Sequence, residues 1–405
     1  MRADEIIKKE RMKMDRVINR VLHSFKEKEQ IQVFKELLQV RSENPGDYEE
    51  NMALKIQRIL DAEGIPSVLK YVDKKRANFY AILEGEKEGK TLIYNGHLDT
   101  VPAGLGWTHA PFSAYEDEGG FIYGRGASDM KAGVASMLYA AICLKRMGYP
   151  KTGKIILFFN ADEEVFNLGM KQFLTEEMTA DFAIISEPTN LNVAIGHRGA
   201  SRFYVKTKGK AGHACYVKEP NNAIEKMNKL LPALFAWGDK LKKEKVHDFL
   251  GTALSNVTMI KGGIAGNIIP DSCVIEIDRR TLPGETREEI LKEYEELLTN
   301  CGGGIEYELN SYTFLGASLI DQDHNFVKLV QTISEKHYGK CEIQSFEATC
   351  EAPFFSVEKG IPTIIYGPGS LEQAHVVNER VHKSQVIIAG KVFIEVAITI
   401  LGECG

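Results

Sequence analysis

Lys154-Ile155-Ile156-Leu157-Phe158-Phe159-Asn160-Ala161-Asp162-Glu163-Glu164 decides the fold. Its first part is a continuous apolar strand, the mark of burial on both faces of a sheet. Two adjacent carboxylates follow, Glu163 and Glu164, and such a pair repels itself unless something positive compensates. One can bind a metal ion while the other takes the proton of a metal-bound water. Working outward, Phe182–Ser186, Thr91–Asn95 and Asn78–Leu83 read as further strands. Gly133 to Met147 reads as a helix with small residues (Ala135, Ala140, Ala141) on one side. Strands alternating with helices predict an α/β core with a largely parallel sheet.

Residues 1 to about 64 read as helices: Ile18, Val21, Leu22 and Phe25 recur at three- and four-residue spacing, as do Phe34, Leu37 and Leu38. The charges at the N-terminus read as a solvated helix face. The segment 42–47, Ser-Glu-Asn-Pro-Gly-Asp, breaks the helices. After Ser201 the pattern changes to strand (202–208), helix (222 to about 242), strand (253–260), strand (273–280), helix (285–298) and strand (304–310). That β-α-β-β-α-β order is the ferredoxin-like signature. Beyond about residue 313 the α/β pattern returns, with a helix at 325–338, a strand at 362–366 and a last helix at 383–401. The expected organisation is a discontinuous catalytic α/β domain, 1–197 and 313–405, with a smaller α+β domain inserted at 198–312.

Composition excludes more than it identifies. The net charge of -6 over 405 residues is modest, so nothing points to nucleic acid or to an anionic membrane. Seven scattered cysteines without a CxxC pair read as reduced thiols in a cytoplasmic protein. The charged N-terminus has no apolar h-region behind it. No stretch approaches ~18 uninterrupted apolar residues, so no membrane span is expected.

Four more motifs join Glu163-Glu164. His97 and Asp99 lie just beyond the strand at 91–95. In an extended segment, residues i and i+2 share a side, so Asp99 is expected to accept from the second ring nitrogen of a metal-binding His97. Asp129 opens the helix that follows, flanked by Gly124, Gly126 and Gly133. Glu187 ends the strand at 182–186, and Pro188 turns the chain. His375 follows the strand at 362–366, past Gly367-Pro368-Gly369. In open α/β sheets, ligands bind outside the carboxyl ends of the strands. Imidazoles and carboxylates without thiolate suit two hard-to-borderline divalent ions, which points to a two-metal hydrolase. The segment 85–91 is one residue short of a P-loop and precedes a strand. No Gly-x-Ser-x-Gly elbow argues for a serine hydrolase.

From about Val40 to His375 these motifs, in order, resemble the di-zinc amidohydrolases and exopeptidases that include acetylornithine deacetylase, succinyl-diaminopimelate desuccinylase, aminoacylase and glutamate carboxypeptidase. The resemblance implies that His97, Asp129, Glu164, Glu187 and His375 bind two metals, zinc first, with cobalt or manganese as alternatives. Asp129 would bridge them, Asp99 would orient His97, and Glu163 would be the general base for a water between the ions. Gly212-His213-Ala214 with the segment 220–224 resembles the motif whose histidine, His213, stabilises the oxyanion, usually across a dimer. Asn267, Arg280 and Gly369 are the implied substrate contacts, with Arg279 the competing arginine. The inserted domain would be a lid and dimerisation domain, and a homodimer is implied. The implied reaction is hydrolysis of an N-acyl amino acid. A dipeptidase or carboxypeptidase on the same centre is the alternative, and a metal-binding protein without turnover the distant one.

Overall fold

The computed structural model describes residues 3–216 and 221–402. The chain divides into two compact units, Met1–Ile195 with Ile320–Phe346 and Cys350–Gly405, and Gly196–Leu319 with Glu347–Thr349.

In the first unit the apolar run at 154–160 becomes one strand of an eight-stranded sheet. In chain order the strands are β1 (Ser67–Asp73), β2 (Arg76–Glu84), β3 (Lys87–His97), β4 (Thr152–Asn160), β5 (Phe182–Ile185), β6 (Val193–Ala194), β7 (Ile343–Gln344) and β8 (Thr363–Ile365). Their spatial order is β1-β2-β4-β3-β5-β8-β6-β7. The central four, β4, β3, β5 and β8, run parallel, and β1, β2 and β6 add antiparallel pairings. Strand β1 escaped the sequence reading because its residues are only half-buried or exposed, so no apolar run marks it.

The helices of this unit are α1 (Ala3–Ser24), α2 (Glu27–Leu38), α3 (Glu50–Ala62), α4 (Lys131–Arg146), α5 (Leu168–Leu174), α6 (Asn325–Tyr338) and α7 (Lys383–Leu401). Nearly all of α4 is buried, and its small residues let it pack closely on α7. The N-terminal helix α1 also packs on α7, burying Val17, Ile18 and Val21, while Arg20 donates to the Tyr149 hydroxyl at 2.9 Å. One helix among the described residues, α7, is long and apolar enough to cross a membrane, and 67% of its apolar window is buried inside the fold.

The second unit carries a four-stranded antiparallel sheet in the order 254–262, 272–281, 199–208, 307–315. Helices 223–244 and 287–302 pack on one face, around Phe203, Val205, Leu230, Ile275, Ile277 and Tyr294. The ferredoxin-like order read from the sequence holds. Its far boundary lies beyond residue 312: the last strand runs to Leu315, and Ser318-Leu319 pairs with Gly196-His197.

Candidate metal centre

Because β4, β3, β5 and β8 are parallel neighbours, their carboxyl ends share one edge of the sheet. Strand β3 delivers His97, β4 leads into Asp162-Glu163-Glu164, and β5 leads into Glu187. The chain leaves β8 for the loop that carries His375. Asp129 precedes the first turn of α4. Close helix–strand packing at Gly133 sets the distance of α4 from the sheet: a Cβ there would lie 2.2 Å from the Ser186 carbonyl oxygen.

Two groups of ligand atoms meet on Asp129. His97 Nε2 lies 2.9 Å from Asp129 Oδ1 and 3.7 Å from Glu187 Oε1. His375 Nε2 lies 3.3 Å from Asp129 Oδ2 and 3.0 Å from Glu164 Oε2. Asp129 thus turns one oxygen to each imidazole, the arrangement of a bridging carboxylate. Glu164 is held from the other side, its Oε1 accepting from the Val101 amide at 3.2 Å.

The electrostatics of this cluster call for cations. Burial pushes Glu163 and Glu187 well above the carboxylate range, with Glu351 adding to the first and Asp129 to the second. Hydrogen bonds to Asp129 and Glu164 raise His375 to about 10. Burial opposes protonation of His97, but the carboxylates of Asp129, Glu187 and Glu163 together outweigh it and hold the imidazole well above its usual value. The same carboxylates that favour protonated imidazoles would favour bound cations, and ligation would displace those protons. Buried carboxylates at this density are stable only when compensated. The donor set of imidazole nitrogens and carboxylate oxygens fits zinc, cobalt or manganese.

The sequence argument for Asp99 needs correction. His97 Nδ1 donates to the main-chain oxygen of Asp99 at 2.9 Å, whereas the Asp99 carboxylate lies 3.7 Å away. The i, i+2 rule assumed that the strand continues, but β3 ends at His97. The carboxylate instead accepts from the amides of Glu163 and Glu164, each at 3.2 Å, and from Asn44 Nδ2 at 2.8 Å. It fixes the backbone of the two glutamates.

Around it lie residues that the sequence reading missed. Asn44 Nδ2 also donates to Asp162 Oδ1 at 2.9 Å, and Arg76 bonds both Asp162 and Glu49. Asp162 itself has φ +67°, a strained backbone held by these bonds. Glu379, fully buried, accepts from Arg125 Nη1 at 2.6 Å and from the amides of Gly126, Ser128 and Asp129 at 2.9, 2.7 and 3.0 Å. Burial pushes its carboxyl up to about 7, with the Arg125 charge opposing. Glu351, also fully buried, comes within 4.8 Å of Glu163 and Glu187. None of these carried a spacing signal, because their partners are distant in sequence.

Gly369 is a packing position. Its φ is +92°, and a Cβ would lie 2.4 Å from Ser128 Oγ. Its amide donates to Gln385 and its carbonyl accepts from the Asn190 amide, both at 2.7 Å. Both main-chain groups make hydrogen bonds inside the fold.

His213, Asn267 and Arg280 belong to the second unit. Gly212-His213 pairs with Ile268-Ile269, and the Ala214 amide donates to the Asn267 carbonyl at 3.0 Å, so two segments far apart in sequence meet. His213 and Asn267 are exposed, and Pro220 lies outside the described residues. The two adjacent arginines fall on opposite faces of their strand by its alternation. Arg279 is fully buried and bonds Glu285 at 2.6 Å. Arg280, on the other face, is partly exposed beside Asp278.

Comparison with known proteins gives the same architecture. The profile of Peptidase family M20/M25/M40 matches residues 93–399. Acetylornithine deacetylase of Vibrio parahaemolyticus is 34% identical over 306 residues, 73% of this chain and 77% of that protein. A peptidase M20 domain-containing protein of Schizosaccharomyces pombe is 29% identical over 366 residues, 88% and 81% of the two chains. An M20 family metallo-carboxypeptidase from Sulfolobus solfataricus superimposes with a TM-score of 0.77 over 91% of this chain and 98% of that one, at 19% identity. A dinuclear metal-binding M20 peptidase from Bacillus subtilis does so with a TM-score of 0.70 at 17% identity, over 93% and 98%. The sequence matches carry the family and the structural ones the fold: this chain belongs to the peptidase M20/M25/M40 family of metal-dependent hydrolases.

Proposed function

We propose that the protein hydrolyses the amide bond of an N-acyl amino acid, in the manner of acetylornithine deacetylase, with zinc as the native metal. The observation that carries the reaction class is Asp129 facing both imidazoles with Glu163 beside the ligands. Bound at the two groups, divalent cations lower the pKa of water and polarise the amide carbonyl. Glu163 takes the proton of the attacking water and hands it to the leaving amine nitrogen. Asp99 keeps Glu163 in place through its amide. From the resemblance we assign His213 to the developing oxyanion, and Asn267 and Arg280 to the substrate carboxylate, for which a guanidinium is the natural partner. A homodimer belongs to the same reading.

Support for a deacylase over a peptidase comes from the curated relatives named acetylornithine deacetylase. The second reading, a dipeptidase or carboxypeptidase, is favoured by structural neighbours that are named as such enzymes. Assays of zinc-loaded protein on N-acetylornithine, N-succinyl-diaminopimelate and a dipeptide panel separate the two. Glu163→Gln is the control: it should hold both metals and lose turnover. Cleavage of dipeptides alone would overturn the deacylase reading, and turnover by Glu163→Gln would remove the base.

A further inference from the structure

We propose that Glu163, Glu187 and Glu351 form a third divalent-cation site, and that a cation held there inhibits the enzyme by occupying the general base. One oxygen from each of these residues lies within 4.8 Å of the others, close enough to be drawn onto one ion at ordinary metal–oxygen distances of about 2.0–2.2 Å.

Glu351 supplies the observation that sets this cluster apart. It is fully buried. Its Oε1 accepts from Asn160 Nδ2 at 2.8 Å, and Asn160 Oδ1 is in turn held by Asn95 at 2.9 Å. Its Oε2 has no hydrogen-bond partner. A buried carboxylate oxygen left unpaired is costly, and the groups near Glu351 include two further carboxylates. A cation answers all three at once.

Charge arithmetic points the same way. Asp129, Glu163, Glu164, Glu187 and Glu351 place five carboxylates in three overlapping ligand groups. Two divalent ions at the imidazole-containing groups bring four positive charges, which leaves one negative charge over. The third group contains no imidazole, so its donors are oxygen alone. It should therefore bind more weakly than the other two, whose imidazoles suit zinc, and fill only when metal is in excess.

The consequence for catalysis rests on the hydrolase reading in which Glu163 is the base. A cation on the Glu163 carboxylate competes with the proton that Glu163 must accept. The metal count does not rest on that reading, so the two can fail separately.

The test is a zinc titration of the full-length protein followed by equilibrium dialysis and metal analysis, with activity measured at each point. The wild type should take up two ions tightly and a third weakly, and lose activity as the third binds. Glu351→Gln keeps the acceptor for Asn160 and removes the charge. It should stop at two ions, and its inhibition by zinc should need at least a tenfold higher concentration, judged against its own uninhibited rate. A zinc anomalous peak between Glu163, Glu187 and Glu351 in wild-type crystals soaked in excess zinc tests the same site without a variant, should Glu351→Gln fail to fold. Saturation of the wild type at two ions, a third ion retained by Glu351→Gln, or soaked crystals with both imidazole groups filled and no third peak would each overturn the proposal. A third ion that binds with no loss of activity would overturn its inhibitory role.

Discussion

Glu379→Ala should disarm the metal centre from outside it. The Glu379 carboxylate receives four donors: the Arg125 guanidinium and the amides of Gly126, Ser128 and Asp129. Those amides belong to the loop that presents Asp129. Removing the carboxylate leaves Arg125, 2% exposed, as a buried charge without its partner. Breaking a buried pair from one side costs about 3–5 kcal/mol, and three buried amides lose their acceptor as well. At about 2.1 cal/mol/K per residue, the unfolding entropy of 405 residues is roughly 0.85 kcal/mol/K. The Tm should then fall by at least about 4–6 °C. Differential scanning calorimetry of the metal-loaded protein measures the shift. Dialysis against a competing chelator should also strip metal from the variant faster, because Asp129 loses one of its anchors. Glu379→Gln, which retains one acceptor oxygen, should fall between the two. A Glu379→Ala protein with an unchanged Tm and unchanged metal retention would refute the reasoning.

Three further outcomes follow from the same geometry. Gly133→Ala places a Cβ 2.2 Å from the Ser186 carbonyl, which overpacks the α4–β5 contact at a cost of about 1–3 kcal/mol or more; it should lower Tm and loosen metal beside Glu187, and an unperturbed variant would show that the packing yields. Metal-free protein should lose stability as pH rises toward 10, because His375 is raised to about 10: a group raised on folding stabilises below its unfolded pKa, and that contribution is lost as pH passes its folded value. Chelated samples melted from pH 7 to 10 should show this fall, and a His375→Gln control should lack that component. Arg279→Ala should destabilise the inserted unit by about 1.5–3 kcal/mol, since it removes a fully buried side chain and its charged bond to Glu285, which keeps Lys245 and the Leu282 amide. Arg280→Ala should leave Tm nearly unchanged and raise KM; equal stability losses in both would contradict the division of labour drawn between the two arginines.

How much of this was legible without coordinates follows from the range of each interaction. The apolar run at 154–160, the helix at 325–338 and the β-α-β-β-α-β order are local periodicities, and pattern alone reveals them. The candidate site residues His97, Asp129, Glu163, Glu164, Glu187 and His375 were visible because each sits at an element end, where the chain turns and motifs are compact. Strand β1 was invisible because partly exposed strands lack an apolar signature.

Only the tertiary structure decided what surrounds those ligands. That Asp99 grips the amides of Glu163 and Glu164 and offers His97 only its carbonyl depends on where β3 stops. Arg279 and Arg280 are neighbours of identical chemistry, and strand alternation alone assigns one to the core and one to the surface. Glu379 and Glu351 bond partners more than a hundred residues away in the chain, and no local periodicity marks them. The sequence by itself determined the elements and the motif-bound ligands, because those depend on spacing along the chain. The supporting carboxylates depend on buried polar groups finding partners across the sheet edge, and that is settled only when distant segments meet.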